Sequence, residues 1–216
     1  ILVIPIGANF DTAPSNPRFF KKIMDSQKLD PKGRTLMFFG YAFPSKRLEV
    51  LLDALNEPQL HDYQVLLIGA FGDETDYQRM LKNKISSLNQ NGPRVGTTGF
   101  LEGHDVSVIL QEGKYFVLPN SRPLSAKSGT AIAAIQNGLI VISRGAKRPE
   151  DTFPFENLKN SFLLDEATPQ SIAEAIALLE NSPTEVKTIL RGAEELKKYF
   201  SWPNIVKQHL KLYEEL

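Results

Sequence analysis

Apolar and polar stretches alternate along the chain in a pattern that is typical of an α/β protein. Continuous apolar runs predict strands that are buried on both faces. Six strands are predicted in this way, at residues 34–40, 63–70, 94–100, 114–119, 139–143 and 161–165, of which the one at 94–100 is weaker and rich in threonine. Helical spacing of apolar residues separates the first two runs, with leucines at i, i+3, i+4 and i+7 (Leu48, Leu51, Leu52 and Leu55). We therefore predict a Rossmann-like, doubly wound parallel sheet of about six strands with helices on both faces.

Polar residues indicate where several helices begin. Asp73 and Asp105 are predicted to cap the helices that follow the second and third strands. Thr168 followed by Pro169 is the usual combination of an N-cap with proline at the first helical position. The helices after residue 168 form a C-terminal helical extension to the sheet.

The two ends of the chain depart from the regular alternation. The opening segment ILVIPIGANF is apolar from its first residue and predicts a strand. Because a core strand is an unusual natural terminus, we expect the chain to be a piece of a longer protein. The last segment predicts a helix with Trp202, Ile205 and Leu210 on its apolar side. We assign residues 1–200 to one Rossmann-like domain and residues 201–216 to a C-terminal helix.

Composition excludes several classes of function. Of the 216 residues, 42% are hydrophobic, and 25 basic residues balance 25 acidic ones, so net charge gives no reason to expect a nucleic-acid partner. The basic and aromatic segment PRFFKK at 17–22 is interpreted as a solvated loop with its rings turned inward. The chain has no cysteine, which fits a reducing, cytoplasmic location. No apolar run approaches the roughly 18 residues of a transmembrane segment, which leaves peripheral membrane association open.

The first candidate site is the loop GYAFPSKRLE at 40–49. Lys46 and Arg47 are predicted to lie at a helix N-terminus, where two cations are unfavourable to the helix dipole. A bound anion would remove that penalty and would accept hydrogen bonds from the free N–H groups of the helix. The alternative is that both side chains extend into solvent.

The second candidate site is the polar loop and helix at 117–138, VLPNSRPLSAKSGTAIAAIQNG. Ser128 is predicted to be the N-cap, which leaves the N–H groups of Gly129, Thr130 and Ala131 free to bind a phosphate. Lys127 would add positive charge. The alternative is an ordinary capped helix in an α/β crossover.

The sequence gives little support for other kinds of functional site, such as a P-loop or a zinc site. The stretch SRPLSAKS matches the spacing of a nucleotide-hydrolysing P-loop only if Ser121 and Ala126 replace its two glycines, whose backbone freedom that loop requires. The three histidines (His61, His104 and His209) are far apart and form no zinc-binding pair. We expect neither a metal nor a cofactor, and the residues assign no catalytic acid or base.

Taken in order, several segments resemble the glycosyl transferases group 1 family, specifically the C-terminal donor-binding domain of retaining enzymes with the GT-B fold. The segments are VIPIGANF, FFGYAFPSKRLEVLLDAL, VLLIGAFGDE, GTTGFLEGHDVSVILQEGKYFVLPNS, NGLIVIS and FSWPNIVKQHLKLYEEL. The resemblance implies that a nucleotide-sugar binds between this domain and a missing N-terminal acceptor domain, against which residues 201–216 would pack. It implies hexosyl transfer to a glycan or glycoconjugate, as in polysaccharide biosynthesis, and a chain that is inactive alone.

The same resemblance implies roles for individual residues. Lys46 matches a family lysine that contacts the donor diphosphate. Gly99, Phe100 and Leu101 match the segment whose backbone borders the nucleotide base. The loop whose N–H groups face the diphosphate is matched by three consecutive residues, Ser128, Gly129 and Thr130.

Three positions depart from the family pattern. Tyr41 stands where the family has an arginine, and Ser125 and Ala133 stand where it has two glutamates, of which the first contacts the donor sugar and the second the ribose. Two hypotheses therefore remain open. The chain is part of an active glycosyltransferase, or it is a degenerate relative that binds a sugar nucleotide or a partner without turnover.

Overall fold

The computed structural model describes residues 4–92 and 94–214, which form one six-stranded sheet in which every strand pair is parallel. The strands are β1 (Arg34–Phe39), β2 (Tyr63–Ile68), β3 (Val95–Thr97), β4 (Tyr115–Leu118), β5 (Ile140–Arg144) and β6 (Phe162–Leu164). Their order in the sheet is β3-β2-β1-β4-β5-β6. The predicted fold class and all six predicted strands are confirmed.

Helices surround this sheet. They are α1 (Pro17–Ser26), α2 (Leu48–Ala54), α3 (Asp76–Leu88), α4 (Gly103–Leu110), α5 (Gly129–Gln136), α6 (Pro169–Asn181), α7 (Pro183–Tyr199) and α8 (Trp202–Glu214). α2 packs against α3 and α6, α5 packs against α7, and α1 packs against α4. The run of small and branched residues Ala131–Ile135 in α5 is fully buried, so this helix lies close to the sheet.

The strand order places a switch point between β1 and β4. The chain moves outward from β1 through β2 to β3, and then returns to the other side of β1 as β4. Ligands of doubly wound sheets bind at such a point, beyond the carboxyl ends of the strands. The loops that follow β1 and β4, which contain both candidate sites, therefore lie side by side.

Two predictions for the N-terminal part of the chain are wrong. Residues 4–10 form no strand, whereas residues 1–3 of the predicted strand lie outside the described part of the chain. Residues 17–22 are helical rather than a loop, because Pro17 occupies the first turn of α1 and the Asn16 side chain accepts a hydrogen bond from the Phe19 N–H. The ring of Phe20 in this helix is buried, which agrees with the predicted inward orientation of the aromatic side chains.

Helix starts also differ from the prediction. Thr75 rather than Asp73 caps α3, because the Asp73 carboxylate pairs with Lys82 at 3.1 Å. Asp105 lies inside the first turn of α4 and is not its cap. The predicted cap at Thr168 is confirmed.

The C-terminal helix α8 packs on the domain by one edge only. Ile205 is buried, and the Trp202 indole N–H donates a hydrogen bond to the Ala8 carbonyl at 3.1 Å. Four large side chains of α8 are nevertheless exposed: Trp202, Val206, Leu210 and Tyr213. Across the described ranges, the structure contains no helix that is both long and apolar enough to span a membrane.

Candidate functional site

A cavity of about 520 Å³ opens at the carboxyl ends of β1 and β2. Its lining comes from segments that are distant in sequence: residues 9–10, the end of β1 and the loop that follows it, residues 69–70, residues 100–103, and Thr130 at the start of α5. The cavity therefore lies on the side of the sheet that the switch point predicts.

Backbone rather than side chains closes the cavity where the strands end. Gly40 and Gly69 have φ angles of +133° and +136°, which L-residues rarely adopt. A Cβ atom on Gly69 would lie 2.7 Å from the Gly40 carbonyl oxygen. A Cβ atom on Gly40 would lie 3.3 Å from the Thr130 methyl carbon, so α5 begins directly beside the end of β1.

Lys46 is the cation that lines this cavity. It ends a short 3-10 turn, Pro44–Lys46, and the chain then reverses at Arg47, whose φ is +49°. Burial lowers the pKa of the Lys46 ammonium below its usual value. Within the described residues, no ion pair or hydrogen bond of that ammonium is found. Lys46 is therefore a partly desolvated cation whose donors remain available.

The start of α2 differs from the prediction in a way that affects this site. α2 begins at Leu48, so Lys46 and Arg47 precede the helix instead of forming its first turn. The ammonium of Lys46, rather than the N–H groups of α2, is thus the group that this loop presents to an anion.

The loop between β4 and α5 is fixed by contacts with both neighbouring loops. The Ser121 N–H donates to the Ser45 carbonyl at 2.9 Å, next to Lys46. The Leu124 N–H donates to the Arg144 carbonyl at 2.8 Å, and the Leu124 side chain is fully buried. This polar loop consequently has one defined path across the switch point.

The N-terminus of α5 offers fewer free donors than the sequence predicts. Ser128 is the N-cap, but its side chain makes no capping hydrogen bond. The Gly129 N–H donates to the Lys127 carbonyl at 3.1 Å and is not free. No acceptor is found in the described chain for the N–H groups of Thr130 and Ala131. The Thr130 hydroxyl oxygen is buried and also lacks a partner there.

The cavity brings together four of the eight residues that sequence reasoning selected: Lys46, Phe100, Leu101 and Thr130. The others lie close by, outside the lining. Gly99 occupies a left-handed turn with φ of +73°, directly before Phe100. Lys127 is exposed, with Ser128 and Gly129 between it and Thr130.

Sequence reasoning did not select several residues that line the cavity, although it noted Tyr41 as a departure from the family pattern. Asn9 and Phe10 come from the segment that was predicted to be a strand, and the Asn9 side-chain nitrogen lies 3.0 Å from the position of a Cβ on Gly129. Tyr41 and Phe43 are 61% and 57% exposed, with ring centroids 5.9 Å apart. In the sequence, Tyr41 and Phe43 could have been selected because they are aromatic residues in a loop that directly follows a buried strand.

Carboxylates are scarce around the cavity. Of the described lining residues, Glu102 is the one that carries a carboxylate. Ala133 is fully buried inside α5, and Ser125 does not line the cavity. Among the residues that the structure describes, no three His, Cys, Asp or Glu side chains are grouped as a metal site would require.

Together, the strand order, the crevice at the switch point and the cation that lines it near a helix N-terminus define a Rossmann-like domain with its crevice where doubly wound sheets bind ligands. The model of the family "Glycosyl transferases group 1" matches residues 19–196, and the chain belongs to that family. A search of curated proteins gives no match.

Several solved proteins share the fold. HepE of Anabaena, solved in complex with UDP, is 21% identical with a TM-score of 0.74, over 94% of this chain and 54% of that one. A glycosyltransferase of Rickettsia africae is 19% identical with a TM-score of 0.81, over 100% and 57%. The C-terminal domain of the group 1 protein LpcC of Francisella tularensis is 16% identical with a TM-score of 0.63, over 87% and 96%. The chain thus spans about half of the first two proteins and matches nearly all of an isolated C-terminal domain.

Proposed function

We propose that this chain is the donor-binding half of a glycosyltransferase and that its cavity takes the nucleoside diphosphate part of a nucleotide-sugar. The observation that carries the proposal is the partly buried Lys46 ammonium, which has no ion-pair partner among the described residues and lines the same cavity as Thr130. The diphosphate would lie between these two residues, and the base would lie along Phe100 and Leu101. The complexes of HepE with UDP and with UDP-glucose support this choice of ligand class.

The proposed chemistry needs charge stabilisation more than a side-chain nucleophile. When the bond between the sugar and the diphosphate breaks, negative charge develops on the departing diphosphate. Lys46 and the free N–H groups of Thr130 and Ala131 would stabilise that charge. Aromatic and aliphatic walls lower the local dielectric, which strengthens each of these interactions relative to water. Lys127, exposed on the same loop, would add attraction at longer range.

The exposed stripe of α8 supports the proposal of a second domain. Trp202, Val206, Leu210 and Tyr213 recur every three to four residues and so form one face of the helix. We propose that this face packs against the N-terminal acceptor domain and that the chain alone does not transfer sugar. Hexosyl transfer to a glycan or glycoconjugate in the cytoplasm, within polysaccharide biosynthesis, completes the proposal.

Binding without turnover is the second candidate function. It is favoured by the burial of Ala133 and by the absence of Ser125 from the described cavity lining, because neither position brings a carboxylate to sugar or ribose hydroxyls. The two candidates share the donor site and differ in what happens to the bound donor.

A thermal-shift titration tests the shared part. UDP, GDP and ADP are each added to the chain up to millimolar concentration, because a ligand that binds only the folded state raises the melting temperature. We expect at least one diphosphate to raise it and Lys46→Ala to reduce the shift, with Lys22→Ala on the exposed face of α1 as the control. The absence of a shift with all three would refute the donor site. Transfer from a nucleotide-sugar by the full-length protein then separates an enzyme from a binding protein.

A further inference from the structure

A single phenol ties the start of α2, two residues beyond Lys46, to α3. The Leu48 N–H donates to the Tyr77 hydroxyl at 2.9 Å. The same hydroxyl donates to the Glu49 carboxylate at 2.6 Å. Tyr77 lies in the first turn of α3, so one side chain links the loop after β1 to the helix after β2.

The start of α2 needs this contact because it lacks a cap of its own. Arg47 occupies the N-cap position in a left-handed conformation, and its side chain makes no capping hydrogen bond. Leu48 is fully buried, so its N–H group cannot rely on water. The Tyr77 oxygen supplies the acceptor that a serine or aspartate would provide at an ordinary N-cap.

Glu49 fixes the orientation of the phenol. Because the Tyr77 proton is donated to the Glu49 carboxylate, an oxygen lone pair is left to face the Leu48 N–H. Burial, reinforced by Glu49, raises the pKa of the Tyr77 hydroxyl well above its usual value, so the group stays protonated at neutral pH. The phenol therefore donates to the Glu49 carboxylate and accepts from the Leu48 N–H, and these two roles cannot be exchanged.

We propose that Tyr77 is a positioning residue for Lys46. The short turn Pro44–Lys46 is held on one side by the Ser121 N–H bond to the Ser45 carbonyl and on the other by Tyr77. Only Arg47 separates Lys46 from the residue that Tyr77 holds. Without the phenol, the turn would pivot about its contact with Ser121, and the ammonium would lose its fixed place in the cavity. This inference rests on the proposed function of the cavity.

The test is a double-mutant cycle for UDP affinity, measured by isothermal titration calorimetry. The four proteins are the wild type, Tyr77→Phe, Lys46→Met and the double variant. We expect Tyr77→Phe to weaken binding about three- to tenfold, as for the loss of one positioned hydrogen bond. Because Tyr77 acts through Lys46, it should have no further effect in the Lys46→Met background.

Matched variants separate positioning from a general effect on the fold. Tyr63→Phe also removes a buried phenol oxygen, but this oxygen has no partner in the described structure and lies at the start of β2, at the opposite edge of the sheet. It should leave UDP affinity unchanged. If Tyr77→Phe does not fold, Glu49→Ala keeps the phenol but removes the acceptor that orients it, and should give a smaller loss.

The possible failures are distinguishable. Full affinity in both Tyr77→Phe and Glu49→Ala would overturn the positioning role. An equal loss from Tyr77→Phe in the wild-type and Lys46→Met backgrounds would also overturn it, because the phenol would then act elsewhere. Full affinity in Lys46→Met would instead refute the diphosphate site on which the inference rests.

Discussion

Lys46→Met should weaken nucleoside diphosphate binding while stabilising the unliganded protein. Methionine keeps most of the apolar stem of lysine and removes the ammonium with its charge and its hydrogen-bond donors. Burial lowers the pKa of Lys46, so the folded state holds this proton less tightly than the unfolded chain does. At pH values below both of these pKa values, the charge therefore costs stability in full. The cost disappears as the pH rises through the lowered pKa towards 10.5, the value in the unfolded chain.

The effect on affinity can be estimated from the surroundings of Lys46. An ammonium and a phosphate oxygen at about 4 Å attract each other by about 4 kcal/mol at an effective dielectric constant of about 20. After desolvation of the phosphate, hydrogen bonds to charged groups retain about 1.5–3 kcal/mol, which corresponds to a loss of about 10- to 150-fold. The protein has already partly desolvated Lys46, and no carboxylate in the described chain competes for it.

Melting temperatures measure both effects in one experiment. With UDP at about 100 times the dissociation constant of the wild type, binding contributes about 2.7 kcal/mol. At about 2–4 °C per kcal/mol for a chain of this size, the wild type should gain about 5–11 °C. A thirtyfold weaker variant retains about 0.9 kcal/mol and should gain about 2–4 °C. The reasoning fails if Lys46→Met melts below the wild type without ligand, or gains as much from UDP. Affinity of the wild type should also fall as the pH rises through the pKa of Lys46.

Four further substitutions test other parts of the site and the fold. Thr130→Val should lower UDP affinity about tenfold in a titration without loss of stability, because the buried hydroxyl has no protein partner to lose, whereas Ser125→Ala should change neither. Ala133→Glu should cost more than about 3 kcal/mol in urea denaturation, because a carboxylate would be buried inside α5, so it should not restore a sugar contact. Arg94→Ala should cost about 2–4 kcal/mol in the same assay, because its guanidinium donates to three backbone carbonyls, while UDP affinity stays unchanged.

The sheet could be predicted because its signals are local. Most strands are short apolar runs. β2 and β4 are buried along their whole length, so their continuous apolar sequences were enough to locate them. Alternation of strands with helices then left few topologies open. Lys46 and Thr130 could be selected for the same reason, because both follow strands whose carboxyl ends lie at the switch point.

The remaining features depend on contacts between distant residues. Asn9 reaches Gly129 across 120 positions only because the opening segment passes over the end of the sheet, which no local pattern encodes. Thr75 rather than Asp73 caps α3, because the Asp73 carboxylate forms an ion pair with Lys82 of the same helix. α1 is different, since Asn16 followed by Pro17 is a recognisable helix start that the basic and aromatic composition of residues 17–22 obscured.

The scarcity of carboxylates has opposite effects on the binding of the two ends of the proposed ligand, the sugar and the diphosphate. At the sugar end, Ala133 and Ser125 remove two acceptors for hydroxyl groups, which lowers the affinity available from the sugar. At the phosphate end, the same absence leaves Lys46 without an acidic neighbour in the described cavity other than Glu102, so its charge is not neutralised before a ligand binds. Because charge interactions are strengthened by apolar walls, the site concentrates its binding free energy on the diphosphate. Under the proposed function, turnover would therefore depend on contacts to the sugar that a second domain would have to provide.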